Sequence, residues 1–166
     1  REKYAELLRI DFPRIPFTAD RKVFDKMAAL GERLVALHLL KSPELDTPVV
    51  QYHGKGSEVV EKVRYEPPIK YKKGDSDVVE GQLTSPHNGR IWINDGKWFE
   101  NVPPELWNYH IGGYQVLEKY LKDRKGMVLN DPPRYCRIAT ALAKTMEVQK
   151  ELGKQYEEVE KNVIDH

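Results

Sequence analysis

Two clusters of basic side chains have the residue types and the spacing that phosphate contacts require. One lies on two predicted strands in the middle of the chain, and the other lies at the end of a short predicted helix. The first consists of Lys62, Arg64, Lys70, Lys72 and Lys73, and the second of Lys119, Lys122, Arg124 and Lys125. Lysine and arginine bind nucleic acids chiefly by neutralising phosphates. For either cluster alone, an ordinary solvated face is the slightly favoured interpretation, since cations at a helix C-terminus also suit the helix dipole.

A polar, turn-rich loop contains side chains of the types that read base edges. It runs from Ser85 to Arg90 and includes His87, Asn88 and Gly89. Asparagine can make two hydrogen bonds with adenine in the major groove, and arginine can make two with guanine. Histidine can donate or accept a hydrogen bond. His87, Asn88 and Arg90 are therefore candidate base contacts, and an ordinary hairpin loop is the alternative.

The sequence contains none of the common catalytic signatures. A phosphate loop ends in Lys-Ser/Thr, and a dinucleotide fold has Gly-x-Gly-x-x-Gly after a strand; neither occurs here. Residues 130–133 read Asn-Asp-Pro-Pro, as in the motif with which adenine methyltransferases hold a flipped base. However, Arg134 stands where that motif has an aromatic ring. We interpret the segment as a helix start, with Asp131 as the N-cap and Pro132 in the first turn.

The histidines and the cysteine are not arranged as a catalytic or metal-binding set. The five histidines are spread over separate predicted elements, so the sequence predicts no metal site. His38 is expected to be a partly buried packing residue. The single cysteine, Cys136, can form neither an internal disulfide nor a cysteine-based zinc site. Because Cys136 falls inside a predicted helix, we interpret it as a small buried hydrophobic residue.

Composition indicates a globular protein of one domain, residues 1–166, that includes a long helical segment over residues 131–166. Hydrophobic residues make up 40% and charged residues 32%, and no apolar run approaches the roughly 18 residues of a membrane span. We therefore expect a cytoplasmic protein without a membrane partner. The start at Arg1 suggests a fragment of a larger polypeptide. The net charge of +1 predicts weak DNA binding by the chain alone.

Hydrophobic periodicity and β-forming residues predict the first half of the fold. Apolar residues at steps of four and three predict a helix over residues 21–40. Predicted strands cover residues 49–52, 59–65, 69–72, 78–79 and 90–93. The clearest hairpin spans residues 91–99, because Asn94, Asp95 and Gly96 suit a tight turn. In that hairpin Trp92 and Trp98 can pair across the strands.

The second half is predicted to be mainly helical. Pro104 suits the first turn of a short helix, and an apolar stripe over residues 116–121 predicts another. A long final helix is predicted to start at residues 131–133 and to continue past Tyr156. Its heptad seam consists of Ile138, Leu142, Thr145, Gln149, Leu152, Tyr156, Val159 and Val163. The predicted fold class is α+β: an N-terminal helix, a central antiparallel β-sheet, and C-terminal helices that end in a long helix.

Five segments, in the same order along the chain, resemble the C-terminal specificity domain of Type ISP restriction-modification enzymes. The segments are residues 12–16, 34–40, 59–65, 90–94 and 111–126. The last is the most informative, since it opens with Ile-Gly-Gly-Tyr and closes in a basic turn. Two segments depart from the family: residues 66–89 are longer than the turn of many relatives, and residues 130–133 differ from the usual serine- and acid-rich helix start.

The resemblance implies that this chain is a sequence-specific DNA target-recognition domain without catalytic residues, metal or cofactor of its own. Enzymes of that family are prokaryotic and join nuclease, helicase-like, adenine methyltransferase and recognition parts in one polypeptide. The implied partners are double-stranded DNA and the methyltransferase and helicase domains of the same polypeptide. The parent is expected to use S-adenosylmethionine, ATP and Mg. The resemblance also favours DNA contact for at least one of the two basic clusters.

Two other functions stay open at the level of sequence. The chain could be a protein-interaction module that organises the parent enzyme through its C-terminal helix, which predicts an exposed apolar seam. It could also be a small enzyme of unrecognised type, which predicts a deep pocket with converging polar groups.

Overall fold

The computed structural model describes residues 17–68 and 87–163 and confirms the α+β class. Its helices are α1 (Arg21–His38), a 3₁₀ helix (Pro43–Leu45), α2 (Pro104–Trp107), α3 (Val116–Lys122) and α4 (Pro132–Lys161). Its strands are β1 (Gln51–Gly54), β2 (Arg64–Glu66), β3 (Arg90–Trp92), β4 (Lys97–Glu100), β5 (His110–Ile111) and β6 (Tyr114–Gln115). The predicted strands over residues 69–72 and 78–79 lie outside the described residues.

Helix α1 begins at the predicted residue and ends two residues before the predicted end. Asp20 caps its start, because the Asp20 Oδ1 atom accepts two backbone N–H groups of the first turn at 2.8 and 3.3 Å. At the other end Leu40 adopts a left-handed φ of 54°. The N–H groups of Lys41 and Ser42 then both donate to the Ala36 carbonyl, at 2.8 and 3.1 Å. This satisfies a carbonyl that the helix end leaves without a partner.

The four-stranded antiparallel sheet has the order β1-β4-β3-β2 and contains the predicted hairpin. Trp92 of β3 lies directly opposite Trp98 of β4, which confirms the predicted cross-strand pair. Between these strands the Asn94 side chain accepts the Gly96 N–H at 2.9 Å. The Ile93 N–H donates to the Lys97 carbonyl at 3.1 Å and closes the turn.

Two other strand predictions are correct only in part. The strand predicted over residues 49–52 is β1, which lies two residues further along the chain. Of the strand predicted over residues 59–65, only Arg64 and Tyr65 pair within the sheet. Instead, the N–H of Val60 donates to the Met127 carbonyl at 2.9 Å, and the N–H groups of Glu61 and Lys62 donate to the Ile93 carbonyl. Hydrogen bonds to carbonyl groups distant in sequence thus take the place of the strand pairing that was predicted for these residues.

Residues 36–146 form one compact unit with its own hydrophobic core. The inner face of the sheet supplies Ile91 and Phe99, both fully buried. The Phe99 ring lies 4.3 Å from the ring of Tyr135 on α4, and α3 contributes the fully buried Leu117 and Leu121. The core therefore fixes β3, which carries Arg90, and α3, which carries Lys119 and Lys122.

The described residues 17–35 and 147–163 belong to a second compact unit. In its described part, Arg33 of α1 forms ion pairs with Glu147 and Glu151 of α4 at 3.9 and 3.8 Å. The N–H of Ala19 donates to the carbonyl of Asn162 at 3.1 Å. That residues 1–166 act as a single target-recognition domain stays a prediction.

Helix α4 begins where the sequence predicted and continues past Tyr156. Asp131 is its N-cap, since the Asp131 Oδ1 atom accepts the N–H of Arg134 at 2.9 Å. Cys136 is buried, and burial raises the pKa of its thiol to about 11. The interpretation of Asp131 as a helix N-cap and that of Cys136 as a buried residue are both confirmed.

The prediction for His38 is wrong, because the last turn of α1 leaves this side chain exposed.

Candidate nucleic-acid interface

The outer face of the four-stranded sheet, opposite the core, carries a row of aromatic and basic side chains. Residues opposite one another in register share a face, and one row runs Arg64, Trp92, Trp98, His53. The two indoles lie 4.9 Å apart, the Arg64 guanidinium carbon lies 5.2 Å from the Trp92 ring, and the His53 ring lies 5.9 Å from Trp98. Arg64 is exposed. The ladder thus holds this predicted phosphate contact against a rigid aromatic surface.

The next row of the outer face is a network of charges centred on Arg90. Its side chain is only 2% exposed, and its Nε and Nη2 atoms donate to Glu100 Oε1 at 3.2 and 2.9 Å. On the neighbouring strand β2, Glu66 lies opposite Arg90 and accepts the Trp92 indole N–H at 2.8 Å. Burial raises the pKa of Glu100, but the hydrogen bonds and charge of Arg90 outweigh it and hold this pKa below its ordinary value. Contact of Arg90 with a base would require these bonds to break.

His87 is buried beside this network. Its Nδ1 atom accepts the Gly89 N–H at 3.0 Å, so the neutral ring has its proton on Nε2. That Nε2 lies 3.6 Å from Glu66, which is too far for a hydrogen bond. Burial, followed by the charge of Arg90, lowers the pKa of His87, although Glu66 and Glu100 oppose the shift. His87 is therefore a neutral, buried group at pH 7 that shapes the loop.

Among residues 87–90, the described part of the predicted base-contacting loop, Asn88 is the one that is exposed. Its Nδ2 atom donates to Asn101 Oδ1 at 3.0 Å, and Asn101 in turn donates to the Val49 carbonyl at 2.7 Å. Gly89 follows at a φ of 90°, and a Cβ at this position would lie 1.9 Å from the Val102 carbonyl oxygen. The backbone that presents Asn88 is therefore held tightly in place.

In the second basic cluster, two lysines already have carboxylate partners. Lys119 Nζ lies 2.9 Å from both oxygens of Asp123, and Lys122 Nζ lies 3.0 Å from Glu118. Exposed ion pairs one helical turn apart contribute little to stability. Exchange of either carboxylate for another anion would therefore cost little.

The other two members of this cluster lie in the turn after α3. The Arg124 guanidinium carbon lies 3.6 Å from the centre of the Tyr120 ring, and its Nη1 donates to the Tyr120 carbonyl at 2.7 Å. Lys125 is exposed. Lys62, from the first cluster, is exposed as well. The remaining candidates of the first cluster, Lys70, Lys72 and Lys73, lie outside the described residues.

Sequence reasoning missed three polar residues that hold the site together. Glu100 had a usable signal, because the pairing of Trp92 with Trp98 also places Arg90 opposite Glu100. Glu66 and Asn101 gave no such signal. Their contacts join segments that are distant in sequence, and no local pattern reports them.

The described residues contain neither a candidate metal site nor a membrane-spanning helix. Across residues 17–68 and 87–163, His, Cys, Asp and Glu form no group of three or more that could hold a metal ion. In the same ranges no helix combines the length and the apolar character that crossing a membrane demands.

The sequence matches one family of protein domains over most of its length. The family described as "Type ISP C-terminal specificity domain" matches residues 1–151. No curated protein matches the sequence.

Two solved structures have a similar fold over almost the whole chain. The ATP-dependent Type ISP restriction-modification enzyme LlaBIII bound to DNA matches 91% of this chain with a TM-score of 0.52 and 19% identity. A nuclease-deletion mutant of the Type ISP enzyme LlaGI, in complex with a DNA substrate mimic, matches 92% with a TM-score of 0.53 and 21% identity. This chain spans only 10% and 14% of those two proteins.

Proposed function

Because the chain belongs to the family of Type ISP C-terminal specificity domains, we propose that it recognises a specific DNA sequence for a prokaryotic restriction-modification enzyme. The family match over residues 1–151 is the observation that carries this proposal. The DNA complexes formed by the two similar solved proteins support it.

In this function the basic side chains contact phosphates and fix the position of the domain on the duplex. Lys62, Arg64 and Lys125 are exposed and can do so directly. Lys119 and Lys122 would exchange their carboxylates for phosphate oxygens. Arg124 would contact the backbone from its place on the Tyr120 ring, and Lys70, Lys72 and Lys73 complete the proposed set. Such contacts position a protein without reading sequence.

Sequence reading is assigned to the loop that follows residue 86. Asn88 is the proposed base-reading residue, because its exposed amide can exchange the bond with Asn101 for an adenine edge. Arg90 and His87 have buried side chains, and we assign them to positioning this loop. One well-placed bidentate contact discriminates against a wrong base by roughly 1–3 kcal/mol.

Catalysis is assigned to other parts of a longer polypeptide. A methyltransferase domain would turn the target adenine out of the base stack and methylate it with S-adenosylmethionine. ATP and Mg would serve translocation and cleavage. This chain would itself carry no catalytic residue, and its partners would be DNA and the methyltransferase and helicase domains.

The docking alternative is less well supported by the seam of the last helix. That alternative predicted an exposed apolar seam, but Leu142, Thr145 and Val159 are buried. Gln149 is exposed but polar. Val163 is 40% exposed and lies beyond the end of α4. This seam therefore does not form a continuous exposed apolar stripe on which a partner could dock.

The test of phosphate contact is a fluorescence-anisotropy titration of the chain with duplex DNA at several salt concentrations. Each phosphate contact contributes about 0.9 to the slope of log affinity against log salt. Lys62→Gln and Lys125→Gln should each reduce the slope by about that amount. Lys150→Gln, an exposed lysine of α4 outside both clusters, is the matched control and should leave it unchanged. Equal slopes for all four proteins would contradict the assignment.

A further inference from the structure

The small hairpin formed by β5 and β6 presents an apolar pair to the solvent. Ile111 and Tyr114 lie opposite each other in register and therefore on one face of the hairpin. They are 56% and 63% exposed. Gly112 and Gly113 join the strands with φ values of 58° and 89°, as a type I′ turn requires. A Cβ at either glycine would meet no atom within 4 Å. The tip of the hairpin is thus open on its outer side.

The base of the hairpin is firmly attached to the core of its unit. The Gln115 side-chain amide donates to the Trp107 carbonyl, and the Val116 N–H donates to the Tyr109 carbonyl at 3.2 Å. Val116 is also the first residue of α3, whose Leu117 is fully buried. The apolar pair is therefore held in place before any partner arrives, so little conformational entropy is lost when it binds.

The surroundings of the pair are basic. Lys119 Nζ lies 5.4 Å from the centre of the Tyr114 ring. Between residues 114 and 126 there are four basic and two acidic side chains, a net charge of +2. A DNA duplex offers the complement, since its phosphates lie on the outside and thymine methyl groups are exposed within its major groove. A two-stranded β-ribbon also fits the major groove of B-form DNA.

We propose that the hairpin contacts the bases of the DNA duplex through Ile111 and Tyr114, while the lysines of α3 contact the adjacent phosphates. This rests on the proposed function and adds an apolar reading element to it. In the major groove an aliphatic side chain can pack on a thymine methyl group, and a tyrosine ring can make the same kind of apolar contact. The two residues are exposed, so their replacement leaves the core intact.

The test uses Tyr114→Ala and Ile111→Ala in anisotropy titrations with duplex DNA over a range of salt concentrations. Removal of a base contact lowers affinity at every salt concentration and leaves the salt slope unchanged, because the number of counterions released from the DNA stays the same. We expect about a fivefold or greater loss for Tyr114→Ala, because its ring would lose the apolar contact with the thymine methyl group. Lys119→Gln should instead reduce the slope by about 0.9. Phe24→Ala removes an aromatic ring that is 46% exposed on α1 and is the matched control.

Each other outcome identifies a different error. If the unaltered chain binds DNA and both hairpin variants bind equally well, the hairpin proposal is overturned and the proposed function stands. A reduced slope for Tyr114→Ala would also overturn it, since the residue would then act through a phosphate. If Tyr114→Ala changes only the sedimentation coefficient, the pair is a contact between copies of the chain. Failure of the unaltered chain to bind DNA at low salt would overturn the proposed function itself.

Discussion

Replacement of Arg90 by methionine is expected to destabilise the protein rather than to remove a DNA contact. Arg90 donates twice to Glu100, and its guanidinium carbon lies 5.7 Å from the Trp98 ring. Methionine retains part of the apolar contact with the indole but loses both hydrogen bonds. It also leaves the Glu100 carboxylate without the cation that lowers its pKa.

The size of the effect follows from how far each partner is buried. Removal of one member of a buried ion pair costs about 3–5 kcal/mol. Glu100 keeps 27% of its side chain in solvent and lies 3.5 Å from His53, so water and His53 offset part of the loss. We therefore expect the lower end of the range, about 3 kcal/mol, which lowers the Tm of a chain of this length by about 6–12 °C.

Urea denaturation of four proteins measures this coupling. The set is the unaltered chain, Arg90→Met, Glu100→Gln and the double variant. The double variant should lose at least about 1 kcal/mol less than the sum of the single losses, because the two residues interact directly. Arg64→Met makes the same exchange at an exposed position of the same face and should cost less than about 1 kcal/mol.

Two results would contradict a stabilising role for the contact between Arg90 and Glu100. One is strict additivity of the single and double variants, which would mean that the pair contributes nothing. The other is a variant Arg90→Met that is as stable as the unaltered chain but has lost its DNA affinity. Arg90 would then be a base contact, as its residue type alone suggested, and its buried position would not describe the DNA-bound state.

Three further predictions concern single residues. The free energy of unfolding should fall as pH drops below about 6.5, because unfolded His87 binds a proton that the folded chain excludes; His87→Gln should weaken this dependence in urea titrations at several pH values. Gly89→Ala should cost at least about 2 kcal/mol, since it adds a clash with Val102 to an unfavourable φ, whereas Gly31→Ala in α1 should stabilise by about 0.5–1 kcal/mol. Cys136 should react with a thiol reagent only in the unfolded chain.

Local patterns predicted those parts of the fold whose causes are local. The hairpin of residues 91–99 follows from a turn sequence with few alternatives, and Asp131 caps α4 through its own side chain. The strand predicted over residues 59–65 has equally favourable residue types, yet its backbone N–H groups go to Met127 and Ile93. Those acceptors lie far away in the sequence, and strand propensity takes no account of such contacts. The strand in the sheet is therefore limited to Arg64–Glu66.

The candidate site shows the same division. Residue types identified the basic clusters and Asn88, and helical periodicity placed Lys119 and Lys122 on one short helix. Burial could not be inferred, and it separates Arg90 from Arg64 although both lie on the same face of the sheet. The exposure of Ile111 and Tyr114 could not be predicted from the sequence either, because apolar residues in a short strand are usually assigned to the core.

Whether this chain reads DNA sequence is tested most directly by selection of binding sites from a random duplex library. The chain is mixed with the library near physiological salt, and bound duplexes are recovered, amplified and sequenced over several rounds. We expect enrichment of one short motif, with tighter binding to that motif than to random DNA. Asn88→Ala should relax the preference at one position of the motif. Recovery of duplexes that share no sequence, despite salt-dependent binding, would contradict sequence recognition and leave only a phosphate-binding module.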